Sequence, residues 1–142
     1  MTSIRNILLA SGFAVAAGMA TAAIAQESQG IVHVEDARSM DIAPMEVEGV
    51  NAYLEDVVST GDPDSPLTCG FFRLEASEAP LTYEYDYDET KIILDGVITI
   101  SDGTTTIDAE EGDVVLLPKG SSITFTTESE GTAYVCGARL SE

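Results

Sequence analysis

The sequence predicts an all-β protein, an antiparallel sandwich or barrel, and two observations carry that prediction. From Leu67 onward, short β-branched and apolar runs such as TKIIL, VITIS and DVVLL alternate with pairs of a charged residue and a glycine. No segment of ten or more residues after the first 25 shows the apolar stripe of an amphipathic helix. Short strands joined by hairpin-type turns are typical of small all-β domains.

Five pairs of a charged residue and a glycine mark the predicted turns. They follow one another at intervals of 7, 9, 8 and 11 residues: Asp95-Gly96, Asp102-Gly103, Glu111-Gly112, Lys119-Gly120 and Glu130-Gly131. Such pairs favour tight reversals because glycine adopts backbone angles that other residues avoid. A further dense turn pattern, STGDPDSP, occupies residues 59–66.

Composition and charge limit the kinds of partner. The 142 residues suit one domain, and 44% hydrophobic residues are enough for a packed core. The chain has 6 Lys and Arg against 25 Asp and Glu, a net charge of −19. Nucleic acids and anionic membranes are bound through clustered basic residues, so we exclude both as partners. One His and two Cys also exclude a His-rich metal site and a cysteine-rich scaffold.

Residues 1–25 are predicted to be a secretory signal peptide. Arg5 gives the start of the chain a positive charge, and residues 6–26 carry no charge. The sequence Ala23-Ile24-Ala25 supplies the small residues that a signal peptidase needs for cleavage before Gln26. An uncleaved membrane anchor is the alternative, which the high content of Ala, Gly, Ser and Thr disfavours. We therefore expect a periplasmic or secreted protein with no membrane attachment after cleavage.

The remaining chain divides into an N-terminal arm, residues 26–54, and a main domain, residues 55–142. Residues 26–45 are polar and poorly periodic, and we expect at most one short strand there, at residues 31–34. Residues 46–58 are richer in apolar side chains but are interrupted by Gly49, and one or two strands are expected among them.

The two cysteines, Cys69 and Cys136, lie in the strand-like stretches TCGFFRLE and AYVCGARL. In an oxidising compartment they allow one intramolecular disulfide. If the two strands are neighbours, the bond would close a loop of about 67 residues and stabilise the fold by roughly 4 kcal/mol in the chain-entropy description. Two buried free thiols are the alternative.

Two spaced motifs resemble those of the cupin superfamily. Six residues separate Glu89 from Gly96, and five separate Gly112 from the tripeptide PKG at 118–120. Over residues 55–139 the chain is similar to one group of cupins, the EutQ family of ethanolamine-utilisation proteins, with YDE two residues before IILDG as part of the match. The resemblance implies a double-stranded β-helix, the jelly-roll barrel of cupins, and a homodimer.

The histidines that hold a metal ion in cupins are missing from this chain. Tyr83 and Tyr85 stand at the first-motif histidine positions, and Ile123 stands at the second-motif position. Glu89 alone remains of the four ligands, whereas a transition metal needs three or more fixed donors. We therefore expect no metal and no other cofactor. Acetate kinase activity, which the EutQ resemblance implies, is not carried over, because an export signal is predicted and the sequence lacks a G-x-x-x-x-G-K-[ST] phosphate loop.

The segment YEYDYDE, residues 83–89, holds the candidate site. In one unbulged strand Tyr83, Tyr85, Tyr87 and Glu89 would share the face that cupins turn inward. There the carboxylate and the tyrosine hydroxyls would bind a small polar molecule, with Ile123 as a further wall residue. Tyrosines that merely fill the former metal cavity are the alternative.

The other acidic side chains of this segment would face outward. Glu84, Asp86 and Asp88 alternate with the tyrosines, so a solvated acidic face is favoured over a Ca²⁺ or Mg²⁺ site. Arg73 and Arg139 follow the cysteines and are expected to form surface ion pairs, which contribute little to stability.

Three functions remain open. The first is an exported cupin that binds a small polar molecule in its barrel. The second is a metal-independent enzyme of the lyase, isomerase or hydrolase type, with Glu89 as base and Tyr87 as acid. The third is a structural or interaction module with a filled barrel.

Overall fold

A computed structural model of the protein describes residues 30–141, which form one curled antiparallel sheet of eight strands. Within this range the helical structure is a single 3-10 turn, Ala37–Ser39. The all-β prediction is therefore confirmed. The strands are β1 (Ala52–Ser59), β2 (Thr68–Glu75), β3 (Leu81–Glu84), β4 (Glu89–Ser101), β5 (Thr106–Glu110), β6 (Val114–Leu117), β7 (Ser122–Thr126) and β8 (Glu130–Gly137).

The strand order is β1-β2-β8-β4-β7-β3, and β5 and β6 also pair with β4. Strand β4 is central because its 13 residues serve two groups of neighbours. Its first half pairs with β8 and β6, and its second half pairs with β5 and β7. A register shift between Ile93 and Asp95 marks the point between the two halves. Such an irregularity in strand pairing bends a strand and increases its twist. The bend in β4 therefore curls the sheet.

Three of the five predicted turns are turns in the structure, and two are not. The glycines at 103, 112 and 120 have positive φ and lie between β4 and β5, β5 and β6, and β6 and β7. In contrast, Asp95-Gly96 lies inside β4 and Glu130-Gly131 lies inside β8. The predicted hairpin between TKIIL and VITIS was wrong, because those two runs form one bent strand. Gly96 serves the bend instead, with φ +71°.

The concave side of the sheet encloses one hydrophobic core. Its buried residues alternate along the strands, as expected for sheets with one covered face. They are Ala52, Phe72, Leu74, Leu81, Tyr85, Ile93, Ile98, Ile100, Ala109, Leu117, Ile123, Phe125, Ala133 and Val135.

The N-terminal arm contributes to this core although it holds no regular strand before β1. The strand expected at residues 31–34 is absent from the structure. Further along, the amide of Met45 donates to the carbonyl of Ala52 at 2.9 Å, and an isolated bridge joins Pro44 to Tyr53. Met45 and Val50 pack against the core. The arm therefore folds back along β1, which itself spans the predicted junction between residues 54 and 55.

The predicted signal peptide, residues 1–25, lies outside the described residues. Among residues 30–141, no helix has the length and apolar character needed to cross a bilayer.

Cys69 and Cys136 are joined by a disulfide. They face each other directly across the antiparallel pair β2 and β8, with 4.1 Å between their Cα atoms. The disulfide therefore links two adjacent strands that are 67 residues apart in the chain.

We predict that Gly96→Ala destabilises the protein more than Gly103→Ala. Both glycines have positive φ, which costs an alanine about 1–2 kcal/mol. A Cβ at Gly96 would also lie 2.1 Å from the carbonyl oxygen of Glu130, whereas nothing lies within 4 Å of one at Gly103. The free energy of unfolding, measured in urea, checks this. Equal losses of stability in the two variants would show that the approach of β4 to β8 at Gly96 is not tight.

Candidate functional site

The segment of residues 83–89 does not form one strand. β3 ends at Glu84, residues 85–88 form a turn, and β4 begins at Glu89. The backbone of Tyr85 is held by the turn between β6 and β7: its amide donates to Ser121 at 2.9 Å, and its carbonyl accepts from Gly120 at 2.7 Å. The expected strand alternation was therefore wrong, because the strand is interrupted and the chain bends between the tyrosines.

The three tyrosines nevertheless meet. The ring centroids of Tyr83 and Tyr85 are 4.8 Å apart, those of Tyr85 and Tyr87 are 5.6 Å apart, and those of Tyr83 and Tyr87 are 6.4 Å apart. The first two pairs pack edge to face, which is a favourable arrangement for aromatic rings. The turn thus gathers the three rings on one wall.

Glu89 lies beside these rings and is buried, with 5% of its surface exposed. Its Oε1 atom accepts a hydrogen bond of 2.7 Å from the hydroxyl of Tyr85. Its Oε2 atom has a longer contact of 3.4 Å with the hydroxyl of Tyr87, which also lies 3.4 Å from the hydroxyl of Tyr83. One carboxylate oxygen is therefore firmly held, and the other is only loosely engaged.

Lys91 is the site residue that the sequence analysis missed. Its ammonium donates to Glu89 Oε1 at 2.7 Å, and its side chain is 4% exposed. The ammonium also lies over the rings of Phe72 and Phe125, 4.6 and 5.4 Å from their centroids. A buried carboxylate needs a counter-charge. Lys91 is two residues after Glu89, and residues at this spacing on a strand share a face, so the sequence did indicate Lys91 as the partner.

Arg139 lies at the rim of the same site rather than on the open surface. Its two terminal nitrogens contact both carboxylate oxygens of Asp56, at 2.6 and 3.0 Å, and its side chain is 10% exposed. Its guanidinium carbon lies 5.9 Å from the ring centre of Tyr87. The expectation of a weak surface pair was wrong for Arg139, because the last residues of the domain fold back against Thr68, which donates to the Arg139 carbonyl at 2.7 Å.

These residues border a cavity of about 150 Å³. Its lining is Met45, Leu54, Phe72, Leu81, Tyr83, Tyr85, Tyr87, Glu89, Lys91, Phe125 and Arg139. The structure therefore brings together four of the five predicted ligand-binding residues. The fifth, Ile123, pairs with Tyr83 across β3 and β7, is buried in the core and does not line this cavity.

The acidic side chains of the turn are engaged separately. Glu84 accepts a hydrogen bond from the hydroxyl of Ser122, and Asp88 accepts one of 2.8 Å from the amide of Lys119. Across the described range, no three His, Cys, Asp or Glu side chains are placed to hold one metal ion.

Burial changes the acidity of the polar groups in the cavity. Desolvation raises the pKa of Tyr85 well above its ordinary value, and the adjacent Glu89 carboxylate raises it further. Burial also raises the pKa of Tyr87, supported by its hydrogen bond to Tyr83 and by Glu89. Burial lowers the pKa of the Lys91 ammonium, while the Glu89 carboxylate opposes that shift. At neutral pH both tyrosines are therefore protonated hydrogen-bond donors.

Comparison with known proteins identifies the family. The profile of the family described as ethanolamine utilisation protein EutQ matches residues 19–136. The chain belongs to the EutQ family. The family resemblance found in the sequence is thus confirmed.

Relatives of this EutQ family member include proteins named acetate kinase EutQ. The one from Escherichia coli (strain K12) is 41% identical over 83 residues, which are 58% of this chain and 34% of that protein. The one from Clostridioides difficile (strain 630) is 34% identical over 76 residues, 50% of this chain and 47% of that protein. The chain thus spans about a third to a half of the length of these relatives.

Solved structures show the same fold. The crystal structure of a putative ethanolamine utilization protein Q from Salmonella typhimurium LT2 matches with a TM-score of 0.66 and 26% identity, over 75% of this chain and 85% of that one. The Clostridium difficile EutQ structure matches with a TM-score of 0.63 and 18% identity, over 74% and 78% of the two chains. The cupin domain of Schizosaccharomyces pombe Cnp3 has a TM-score of 0.58 at 14% identity, over 72% and 66%. The curled sheet is therefore cupin-like.

We predict that Lys91→Met lowers the free energy of unfolding by about 3–5 kcal/mol, because it leaves the Glu89 carboxylate buried without its counter-charge. The double variant Glu89→Gln/Lys91→Met removes both charges and should lose less than the single variant. Arg38→Met, which breaks an exposed ion pair with Asp95, is the control and should cost less than about 1 kcal/mol. Urea unfolding measures all three, and a double variant that loses as much stability as Lys91→Met, or more, would contradict a coupled pair.

We predict that ionisation of Tyr85 destabilises the fold at alkaline pH. Its pKa is raised in the folded state above the ordinary 10.0, so its contribution to stability is complete below pH 10 and falls as pH rises further. The lowered pKa of Lys91 affects stability only below its ordinary pKa of 10.5, so measurements above that pH exclude the effect of Lys91. The pKa of Tyr87 is raised as well, and comparison with Tyr85→Phe separates the two tyrosines.

Urea unfolding at several pH values above 10.5 tests this prediction. The wild type should lose about 1.4 kcal/mol per pH unit more than Tyr85→Phe. Tyr134→Phe is the control, because it removes a phenol hydroxyl outside the cavity. Parallel pH profiles for wild type and Tyr85→Phe would contradict the assignment.

Proposed function

We propose that this EutQ family member binds a small polar molecule in the cavity between Tyr83, Tyr87 and Glu89. The observation that carries the proposal is the buried Glu89 carboxylate, whose Oε2 atom has only a 3.4 Å contact among the described residues. A buried acceptor without a short hydrogen bond costs free energy, which a ligand donor recovers. The cavity holds about five waters by their share of liquid volume, so there is room for such a ligand.

The same considerations favour binding over the two other functions. A filled barrel would leave no cavity of this size, although the tyrosine rings do pack on one another. An enzyme with Tyr87 as acid needs a phenol that releases its proton readily, whereas burial raises the pKa of Tyr87. Binding uses the tyrosines as permanent donors, which suits their raised pKa.

The proposal includes an exported cupin whose sheet closes into a jelly-roll barrel with a degenerate metal site. The Cys69–Cys136 disulfide supports a periplasmic or secreted location, because structural disulfides persist in oxidising compartments. Of the four residues that hold a metal ion in cupins, only Glu89 remains, and its carboxylate is paired with the ammonium of Lys91. Homodimerisation stays a prediction from the resemblance. Acetate kinase activity is not part of the proposal, since the chain covers about a third of the Escherichia coli relative that carries this name.

We predict that small polar molecules stabilise the protein through this cavity. A thermal-shift screen of small alcohols, carboxylates and amines, followed by calorimetry, would find the binders. Tyr87→Phe and Glu89→Gln should each weaken a genuine ligand at least tenfold, which corresponds to about 1.4 kcal/mol. Tyr134→Phe, whose ring packs on Phe71 away from the cavity, is the matched control and should bind normally.

Two results would overturn the proposed function. One is a screen without any binder. The other is a set of binders that the Tyr87 and Glu89 variants retain at full affinity, because this would place the site elsewhere on the molecule.

A further inference from the structure

We propose that the cavity selects a neutral, hydroxyl-bearing molecule and rejects carboxylates and ammonium ions of the same size. This inference names the ligand class of the proposed binding site and therefore rests on the proposed function.

Each charged side chain that lines the cavity has a partner of opposite charge. Glu89 and Lys91 are in contact at 2.7 Å, and the pair is neutral whether the shared proton lies on the carboxylate or on the amine. At the rim, Arg139 is paired with Asp56 through two contacts. A ligand ion would bring an unpaired charge into a space whose own charges are already balanced. Burying such a charge costs several kcal/mol.

The hydrogen-bonding atoms that remain favour a hydroxyl group. Glu89 Oε2 accepts only at 3.4 Å, so it has room for a short bond from a donor. The Lys91 ammonium carries two protons beyond the one donated to Glu89 Oε1, and so it has capacity for an acceptor. A hydroxyl group donates and accepts at once, and thus satisfies both neighbours. A carboxylate would supply no donor, and an ammonium would supply no acceptor.

The rest of the wall suits the carbon skeleton of a small alcohol or diol. Met45, Leu54 and Leu81 supply aliphatic surface, and the rings of Phe72 and Phe125 lie under the Lys91 ammonium. A purely apolar ligand would bury the free lone pairs of Glu89 without a partner, which costs about 1–3 kcal/mol. One polar end and one apolar end therefore describe the ligand best.

NMR titration of the purified full chain with size-matched probes tests the inference. The probes are a set of small neutral alcohols and diols including propane-1,2-diol, propionate as the carboxylate, and butylammonium as the amine. We expect saturable shifts at the cavity residues from the best neutral probe, with a Kd at least tenfold below those of both ions. Either ion binding as tightly as the neutral probes would overturn the neutral-ligand inference and leave the proposed function intact. Absence of saturable shifts from all probes would overturn both.

Variants that unbalance the pair provide the second arm. Glu89→Gln leaves the Lys91 ammonium without its carboxylate, so propionate should gain at least tenfold relative to the diol. Lys91→Met leaves the Glu89 carboxylate alone, so butylammonium should gain by the same factor. Unchanged preferences in both folded variants would show that charge balance does not select the ligand.

The double variant Glu89→Gln/Lys91→Met keeps the test decisive if a single variant fails to fold, since it leaves no unpaired buried charge. It should still reject both ions, because its wall remains neutral. Binding of either ion by the double variant at the affinity of the neutral probes would contradict the inference.

Discussion

The ion pair between Glu89 and Lys91 is the constraint on which the site depends. Both side chains are buried, and neither can lose its partner without leaving a charge in an apolar surrounding. The Lys91 ammonium lies over the phenyl rings of Phe72 and Phe125, and the hydroxyl of Tyr85 donates a hydrogen bond to Glu89 Oε1.

The pair is held in place by the most extensively bonded strand of the fold. Strand β4 carries both residues and lies between β8 and β6 over its first half. Its bend at Gly96 then sends the second half into the other part of the sheet, where it pairs with β5 and β7. A site on a central strand with hydrogen bonds on both edges has little freedom to shift, which suits precise placement of two charges.

The comparison with cupins clarifies how the site differs from a metal centre. The family motif places a carboxylate at Glu89, and this chain keeps it. Tyrosines replace the histidines that the motif would supply at positions 83 and 85. The hydroxyl of Tyr85 donates to the Glu89 carboxylate, whereas the hydroxyl of Tyr83 contacts that of Tyr87. In place of a metal ion, the ammonium of Lys91 neutralises Glu89. In this chain the Glu89 carboxylate is therefore neutralised by a side chain, whereas in a metal-binding cupin a metal ion neutralises it.

The sequence alone determined the all-β class and the EutQ resemblance, since strand patterns, turn glycines and motif spacing are local properties. It named Tyr83, Tyr85, Tyr87 and Glu89 as one site but placed them on one strand, whereas the structure brings them together across a break between β3 and β4. It did not distinguish a turn glycine from one at a bend, and so Asp95-Gly96 was assigned to a hairpin. Only the tertiary structure decided that Lys91 is buried against Glu89 and that Arg139 meets Asp56, 83 residues away in the chain. The contact between Arg139 and Asp56 and the burial of Lys91 both depend on how distant segments pack together, through strand order and register, rather than on the residues beside them in the chain.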